Sequence, residues 1–563
     1  MSDAYEGKPW LKHFDPKVAP ALSYEEKTFA EMFAETVKKF PDKTALIYMG
    51  AKLSYTQVDE VSNRLANFLI KSGLKPGEVV GLHLPNIPAH YVAIIAVQKA
   101  GCVSTGLSPL LTAHEMEHQL KDSGTRLVFT LDLLYPKLAE VAASAPFTTV
   151  VVSRIADFLP GVKRVLGTLL KKIPTGPVTP LPGKTVLRFM DAIKSVPASP
   201  VMVKRGWNDM MFMMYTGGTT GPAKGAMLTQ KSYMSNRIQV LAWLDIKSSD
   251  IALSAFPLFH IAGLALGGFT ITQGTTVICV PNPRDSHFLI NALKTYKPTL
   301  MVNVPTVYFE LLKRPDFRAL QLRGHLNWCL SAAAPFPAEY IKDLESIIGE
   351  GNFIELYGMT ETSPVTFCNP RYGKKRAGSI GLPISDTDVK LIDPETGQHA
   401  KLGETGELAI RGPQVMSGYF QQPGETANAV RDGWMYTGDV AKMDEDGYFY
   451  IVDRVKDMVI VSGFKVFTRE LDDVLAKHPD VEMGASIGMP DPERPGSERV
   501  GCAIVLRPGI EKNQAEKEKI IGYLKENVAP YKVPRVIQFM DQLPTSGVGK
   551  ILKREIRKLM VEN

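Results

Sequence analysis

The chain has 563 residues, 45% of them hydrophobic and 22% charged, and a formal net charge of +6 at pH 7. That length argues against a single core, since roughly 100–200 residues per domain gives about three or four units. The small positive balance, with no aromatic-and-basic repeat, implies no nucleic-acid partner and suits polyanionic small ligands, while five scattered cysteines without a CxxC pair imply no zinc or iron–sulfur site and read as buried thiols in a reducing compartment.

The first residues are acidic and polar where an export signal needs a basic start and an apolar core. No stretch reaches the roughly eighteen uncharged apolar residues that span a bilayer. A cytoplasmic protein, soluble or peripherally attached, is expected, as a monomer or an oligomer. Residues 1–45 form an irregular lead with Pro9, Pro16 and Pro20, and then a helical run from Phe29 to Phe40. Gln57 to Leu69 has apolar residues at helical spacing behind a Ser-Tyr-Thr start; Gly77 to Pro85 reads as a strand, His90 to Ala100 as a helix, and Arg126–Thr130 and Thr148–Val152 as strands. Strands alternating with helices imply parallel βαβ layering.

Between Gly161 and Pro174, Val162, Val165, Leu166, Leu169, Leu170 and Ile173 share one helical face, and Lys163, Arg164, Lys171 and Lys172 stand off it. Such a stripe either packs on its own protein or lies on an anionic membrane surface, so peripheral membrane contact through 161–173 stays open.

Met211 to Thr229 is an apolar strand emptying into a loop, Thr216 to Gly225, with four glycines, three threonines and one lysine. Glycines let backbone N–H groups close on an anion, threonine hydroxyls add donors and Lys224 adds a point charge, so the loop suits phosphate. It is not a Walker loop: Gly225 follows Lys224 where that pattern needs Ser or Thr, Gly183-Lys184-Thr185 has Val178 in place of the first glycine, and Gly549-Lys550 is followed by Ile551. Further on, Ile251–Pro257, Thr276–Pro281, Leu300–Val304 and Trp328–Ser331 again alternate with helices, as a second βαβ half. Gly403 to Gly412 alternates like a half-exposed strand in a β-rich unit, and after Asp453 to Asp457 the pattern changes to short strands, a charged helix at Asn513–Asn527 and a strand at Val536–Met540.

The words Tyr215-Thr-Gly-Gly-Thr-Thr-Gly221 and Lys224-Gly225 resemble the phosphate loop of the adenylate-forming enzymes, the superfamily of acyl-CoA synthetases, luciferases and peptide-synthetase adenylation domains. Five further words stand in that superfamily's order: Ser331-Ala-Ala-Ala-Pro335, Glu355-Leu-Tyr-Gly-Met-Thr-Glu361, Tyr436-Thr-Gly-Asp439, Asp453-Arg-Val-Lys-Asp-Met458 and Gly549-Lys550. The resemblance implies an α/β fold: a large N-terminal domain over 1–452 with two layered βαβ halves and a β-rich subdomain, a hinge at 453–457, and a small mobile α+β domain over 458–563. It implies ATP bound by Thr216, Gly217, Gly218, Thr219, Thr220, Gly221 and Lys224, by Ala333, Ala334 and Pro335, by Glu355, Leu356, Tyr357, Gly358 and Thr360, and by Asp439 and Arg454. Each role has a physical reason. A triphosphate brings several negative charges, so Glu361 fits as a Mg2+ ligand, with Thr360 donating to a phosphate. Tyr357 can stack on adenine, and Asp439 can accept from both ribose hydroxyls beside Arg454.

By the same likeness Lys550, on a flexible-looking loop, is the catalytic cation, whereas Lys553 and Lys558 read as ordinary solvated lysines. Lys456 aligns with the residue about which the small domain turns, which brings Ser462, Gly463 and Lys465 to a coenzyme A channel. His260, in Phe256-Pro-Leu-Phe-His260, borders the carboxylate pocket, and no aspartate stands beside it to grip an amino group, so a plain carboxylic acid is expected. Lys8-Pro-Trp10, Gly217-Gly218 and the insert Leu159 to Arg164 before Val186-Leu-Arg-Phe189 are most similar to bacterial long-chain fatty acid–CoA ligases. Two departures stand out: alanines at 332–334 where relatives usually carry glycines, which narrows the expected acyl tunnel, and the unusual wording of Ser462 to Glu470. The expected activity is ligation of a medium-to-long fatty acid to coenzyme A, with ATP cleaved to AMP and pyrophosphate; an alicyclic, aryl or shorter acid, loading of a carrier protein, and nucleotide binding without turnover stand as alternatives.

Overall fold

The computed structural model describes residues 5–561 apart from 162, 165, 166, 168, 169, 171, 172, 217–221, 335, 395, 462, 463, 493–497 and 546–550. Its chain forms two compact units: a larger one of His13–Asp388 and Arg411–Gly433, and a smaller one of Met1–Lys12, Val389–Ile410 and Trp434–Asn563.

In the larger unit, helices start where the sequence supplies reciprocal caps. Thr28 with Glu31, Ser54 with Gln57 and Thr112 with Glu115 each close a capping box at the head of Phe29–Lys39, Tyr55–Lys71 and Ala113–Asp122. Each box satisfies two orphan N–H groups, worth about 1 kcal/mol. The strands between are short apolar runs with every residue buried, as in Val79–His83, Leu127–Leu131 and Leu300–Asn303, which is the mark of parallel strands covered on both faces.

They assemble into two sheets. Sheet A runs Leu382–Pro383, Val365–Cys368, Phe353–Gly358, Trp328–Ser331, Leu300–Asn303, Ile251–Ser254, Thr276–Ile278, Thr44–Tyr48, Ala51–Ser54. Sheet B runs Gly418–Tyr419, Lys224–Thr229, Met210–Thr216, Val103–Gly106, Val79–His83, Leu127–Leu131, Thr149–Ser153, Thr185–Arg188. Both contain the same parallel winding. Val79–His83 in sheet B and Ile251–Ser254 in sheet A each have the strand that follows next in the chain on one side and the three strands after that, in order, on the other. The two expected βαβ halves are therefore present, each with a point where strand order reverses. Leu253, Met301 and Cys329 of sheet A pack on Leu289, Leu293, Tyr308, Leu311 and Leu344 of its helices, and Val128 and Val150 of sheet B pack on Leu120 and Leu138. Each such side chain contributes about 1.5–3 kcal/mol by leaving water.

The smaller unit begins with an antiparallel sheet in which Thr405–Arg411 pairs with Trp434–Met443 and the latter with Phe449–Arg454, the expected β-rich piece. Its α+β remainder has a three-stranded sheet, Val481–Pro490, Glu498–Leu506 and Val536–Phe539, packed through Val500 and Ile504 on Leu471 and Leu475 of Thr468–Leu475 and Ile520 and Leu524 of Gln514–Asn527.

Among the described residues no helix is long and apolar enough to cross a membrane. All five cysteines are buried thiols. Of the 161–173 stripe, Val162, Val165, Leu166, Leu169, Lys171 and Lys172 lie outside the described residues; Ile173 is buried and Leu170 is 61% exposed.

Candidate functional site

The antiparallel hairpin of Met210–Thr216 and Lys224–Thr229 makes Thr216 and Lys224 cross-strand partners, so the two ends of the glycine-rich loop meet. Gly217, Gly218, Thr219, Thr220 and Gly221 lie outside the described residues. The hairpin is supported from the helix Ala113–Asp122: His118 Nε2 lies 3.0 Å from the Ala223 carbonyl oxygen, and Asp122 accepts a hydrogen bond from the Tyr215 hydroxyl.

On the other side the short edge strand Gly418–Tyr419 pairs with Ala226 and Met227. Two side chains from this neighbourhood reach predicted site residues. Glu425 forms an ion pair with Lys224, and the Tyr419 ring lies beneath the same ammonium, 5.1 Å from Nζ to centroid. The Tyr419 hydroxyl donates to Glu361 Oε1 at 2.8 Å. Burial, reinforced by that carboxylate, pushes the phenol's pKa well above the usual range, so it remains a donor. Lys224 and Glu361, 137 positions apart in the chain, are thus joined through one tyrosine. Motif spacing missed both Tyr419 and Glu425; the available signal was an aromatic and an acid following a glycine in Gly418-Tyr-Phe-Gln-Gln-Pro-Gly-Glu425.

Glu361 sits in the 3-10 turn Thr360–Thr362, which Phe353–Gly358 feeds, and is 7% exposed, with Thr360 half-buried beside it. Gly358 is required there, because a Cβ would lie 1.9 Å from the Pro364 carbonyl oxygen. A buried carboxylate that accepts from a hydroxyl can also offer oxygen to a hard divalent cation.

On the strand before it, Glu355 Oε2 accepts from Gly378 N at 3.4 Å, Leu356 is half-buried, and the Tyr357 ring stands edge-on to Phe367 at 5.9 Å. The turn after Trp328–Ser331 leaves Ala333 and Ala334 exposed, and Ala333 adopts a left-handed φ of 72°. Pro335 lies outside the described residues. His260 caps the helix Ile261–Thr272, its Nδ1 accepting from Ala262 N at 3.3 Å, so the proton of the neutral ring falls on Nε2.

In the smaller unit Asp439 and Arg454 are cross-strand partners, with Nε 3.0 Å from Oδ1 and Asp439 5% exposed. A carboxylate oriented by a guanidinium offers well-placed acceptor lone pairs, as a diol requires. Lys456 is exposed on a turn closed by Asp457 N and Met458 N donating to the Arg454 carbonyl, and Lys465 is half-buried in Phe464–Val466. Ser462, Gly463 and Lys550 lie outside the described residues; Thr545 and Ile551 are bridged to each other.

Lys553 departs from the solvated lysine expected of it. Its side chain is 18% exposed, and its ammonium lies 2.7 Å from both Asp472 Oδ2 and Thr468 Oγ1. Thr468 also donates through N and Oγ1 to Asp453. Lys558, by contrast, pairs with Glu555 on the surface, as expected. Among the described residues, His478, Asp480 and Glu516 are close enough to share a metal ion, but Lys519 is ion-paired with Asp480 and 3.9 Å from Glu516, so an ammonium already serves that cluster. Two open clefts, of about 380 and 240 Å³, are lined by residues such as Lys184 and Arg188 and by Trp328 and Arg371, and neither includes a predicted site residue.

Residues 33–420 match the AMP-binding enzyme family, and residues 470–550 match the AMP-binding enzyme C-terminal domain. The chain belongs to the AMP-binding enzyme family. Relatives include the long-chain-fatty-acid–CoA ligase of Bacillus subtilis (strain 168), 35% identical over 561 residues and 99% of both chains. A feruloyl-CoA synthase of Amycolatopsis sp is 36% identical over 523 residues, 92% of this chain and 96% of that one. Among solved family structures, an anthranilate CoA ligase in complex with anthranoyl-AMP is similar with a TM-score of 0.83 and 26% identity, over 95% of this chain and 97% of that one.

Proposed function

We propose that this protein activates a medium-to-long-chain fatty acid with ATP and passes it to coenzyme A. The observation that carries the reading is the linked set Lys224, Tyr419 and Glu361, a cation and a buried carboxylate at the mouth of the glycine-rich loop. Full-length similarity to a protein named a long-chain-fatty-acid–CoA ligase supports the choice of acid.

In the first step a carboxylate oxygen of the acid bonds to the α-phosphorus of ATP, and the bond to pyrophosphate breaks. Two anions must approach, so positive charge at the site lowers the barrier, and removing one such donor costs on the order of 10²–10³ in rate. Lys224 and the loop 216–225 hold phosphate, Lys550 is the cation at the attacking oxygen, and Asp439 with Arg454 holds the ribose. Ala333, Ala334, Pro335, Glu355, Leu356, Tyr357 and Gly358 surround the adenine, and Thr360 donates to phosphate. Glu361 would hold Mg2+, which would neutralise phosphate charge. In the second step the coenzyme A sulfur bonds to the acyl carbonyl carbon, the bond to AMP breaks and the thiol proton departs. The residues from 458 onward turn about Lys456 between the steps, withdrawing Lys550 and bringing Ser462, Gly463 and Lys465 to the pantetheine. A cytoplasmic location fits this reading, with the stripe at 161–173 either packed on the protein, as Ile173 is, or in peripheral contact with anionic membrane through the exposed Leu170.

A second reading, an aryl acid in place of the fatty acid, is favoured by the likeness to a feruloyl-CoA synthase. One experiment separates them: acyl-CoA formation from saturated acids of increasing length, benzoate and ferulate, with labelled ATP. A fatty acid preferred with AMP as product supports the proposal; ferulate preferred establishes the second reading, and ADP as product removes both.

A further inference from the structure

The turn that leads to His260 is gripped from both sheets. In sheet B the strand Val79–His83 runs out to Asn86, which is 4% exposed. Its Nδ2 donates to the Phe256 carbonyl at 2.8 Å, and its Oδ1 accepts from Leu258 N at 2.8 Å. One side-chain amide therefore pairs with residues two apart on the turn, as a neighbouring strand would. In sheet A, Asn303 ends Leu300–Asn303, is wholly buried, and accepts from Ala255 N at 3.1 Å through Oδ1. Gly106, at the end of Val103–Gly106, admits the same turn: a Cβ there would lie 2.3 Å from the Phe259 carbonyl oxygen.

These contacts fall at the places where strand order reverses. Val79–His83 lies between Val103–Gly106 and Leu127–Leu131, and Ile251–Ser254 lies between Thr276–Ile278 and Leu300–Asn303. In doubly wound sheets ligands bind outside the carboxyl ends of strands at such reversals. Asn86 follows the carboxyl end of the first strand of one winding, and Ala255 to Phe259 follows that of the other. The amide bridges the two reversals, holding the turn at Leu258, two residues before His260.

We propose that Asn86 is a positioning residue that fixes the turn Ala255–His260 between the two sheets and thereby sets which acid the pocket accepts. This rests on the reading of His260 as the border of the carboxylate pocket. Asn86 touches no substrate; it acts through Phe256 and Leu258. A pocket wall displaced by about a methylene changes discrimination between acids roughly 10–200-fold, so loosening the turn alters acid preference before it alters ATP binding.

Asn86→Asp keeps an acceptor for Leu258 N–H and loses the donor to Phe256; Asn86→Ala loses both. Both are assayed in the full-length protein for kcat and KM across saturated acids at saturating ATP, then for ATP at saturating acid, with amide exchange followed at Leu258. Expected in Asn86→Asp are a KM for the preferred acid raised about tenfold, a ratio of kcat/KM between long and short acids shifted at least about fivefold, and a KM for ATP within about twofold. Expected in Asn86→Ala is faster exchange at Leu258. Equal losses for acid and ATP, or an unchanged order of acids, overturn the proposal. Should Asn86→Ala fail to fold, Asn86→Asp decides alone; failure of both to fold overturns positioning in favour of a purely structural brace. Wild-type protein that releases no pyrophosphate with any acid defeats the functional reading instead, and is seen before any variant is made.

Discussion

The Tyr419 hydroxyl donates a 2.8 Å hydrogen bond to Oε1 of Glu361, linking an edge strand of sheet B to the turn that follows Phe353–Gly358 in sheet A. Hydrogen bonds to charged groups contribute about 1.5–3 kcal/mol. Tyr419→Phe removes the donor and keeps the ring under Lys224. The expected outcome is a loss of about tenfold or more in kcat/KM for Mg-ATP, with thioester formation from supplied acyl-AMP nearly unchanged. Steady-state kinetics at varied Mg2+ and ATP checks it.

Lys224 is ion-paired with Glu425, so on the proposed function an internal carboxylate competes with the incoming phosphate for one ammonium. Both side chains are partly exposed, 20% and 44%, and pairs of that kind are worth about 0–1 kcal/mol. Glu425→Gln is therefore expected to lower the KM for ATP by up to about fivefold, whereas Lys224→Ala raises it. A rise in KM with Glu425→Gln would show that the carboxylate orients the lysine instead of competing for it.

Ala333 holds a φ of 72°, a region in which a Cβ meets the carbonyl oxygen at a cost of roughly 1–2 kcal/mol. The residue is exposed, so no packing is lost on removing its methyl group. Ala333→Gly is expected to stabilise the larger unit by about 0.5–1 kcal/mol after the added chain entropy of glycine is subtracted. Urea unfolding followed through that unit's transition measures the difference.

The two half-reactions are expected to separate by variant. Lys550→Ala loses on the order of 10²–10³ in acyl-adenylate formation and retains most thioester formation from supplied adenylate. Lys456→Pro, which restricts the backbone at the turn, impairs thioester formation more than adenylation. Pyrophosphate release and acyl-CoA formation, each measured in a single turnover, test both; equal loss in the two steps with Lys550→Ala removes that lysine from the chemistry.

His83 and His90 are wholly buried, and burial lowers their pKa values to about 3 and about 4. Unfolded, each titrates near 6.5, so the unfolded chain binds more protons below that pH. Their contribution to stability is fully present above pH 6.5 and is lost as pH falls from there toward 4 and then 3. At pH 5 the loss is about 2 kcal/mol for each. His90→Gln, whose amide can keep donating to the Pro85 carbonyl, is expected to recover about that amount of the difference between unfolding at pH 7 and pH 5.

The parallel strands were legible because both of their faces are buried, so apolar runs such as Val79–His83 and Trp328–Ser331 mark them without help from neighbours. The helix at Tyr55–Lys71 was legible from the helical spacing of its apolar residues behind a Ser-Tyr-Thr start. What stayed hidden were pairings across long spans of chain: Tyr419 with Glu361, Glu425 with Lys224, and Asn86 with Phe256 and Leu258. None has a local periodicity, and an asparagine or tyrosine in a loop carries no mark of its distant partner. Lys553 was misjudged for the same reason, since Arg554 and Glu555 follow it in sequence while its neighbours in space are Thr468 and Asp472.

That buried knot also constrains how Lys550 can travel. Burial pushes the Asp472 and Asp453 carboxyls above their ordinary range, and the Lys553 ammonium counters it in both, so each depends on the other members of the set. Three residues of chain span at most about 10 Å. An anchor at Lys553 therefore keeps Lys550, the proposed catalytic cation, within that span of chain. Asp453 precedes the turn at Lys456 and Thr468 follows it, so a swing about Lys456 has to part them first. A turn of the kind proposed would then be that of a whole body swinging on a latch, with Asp453 as the catch.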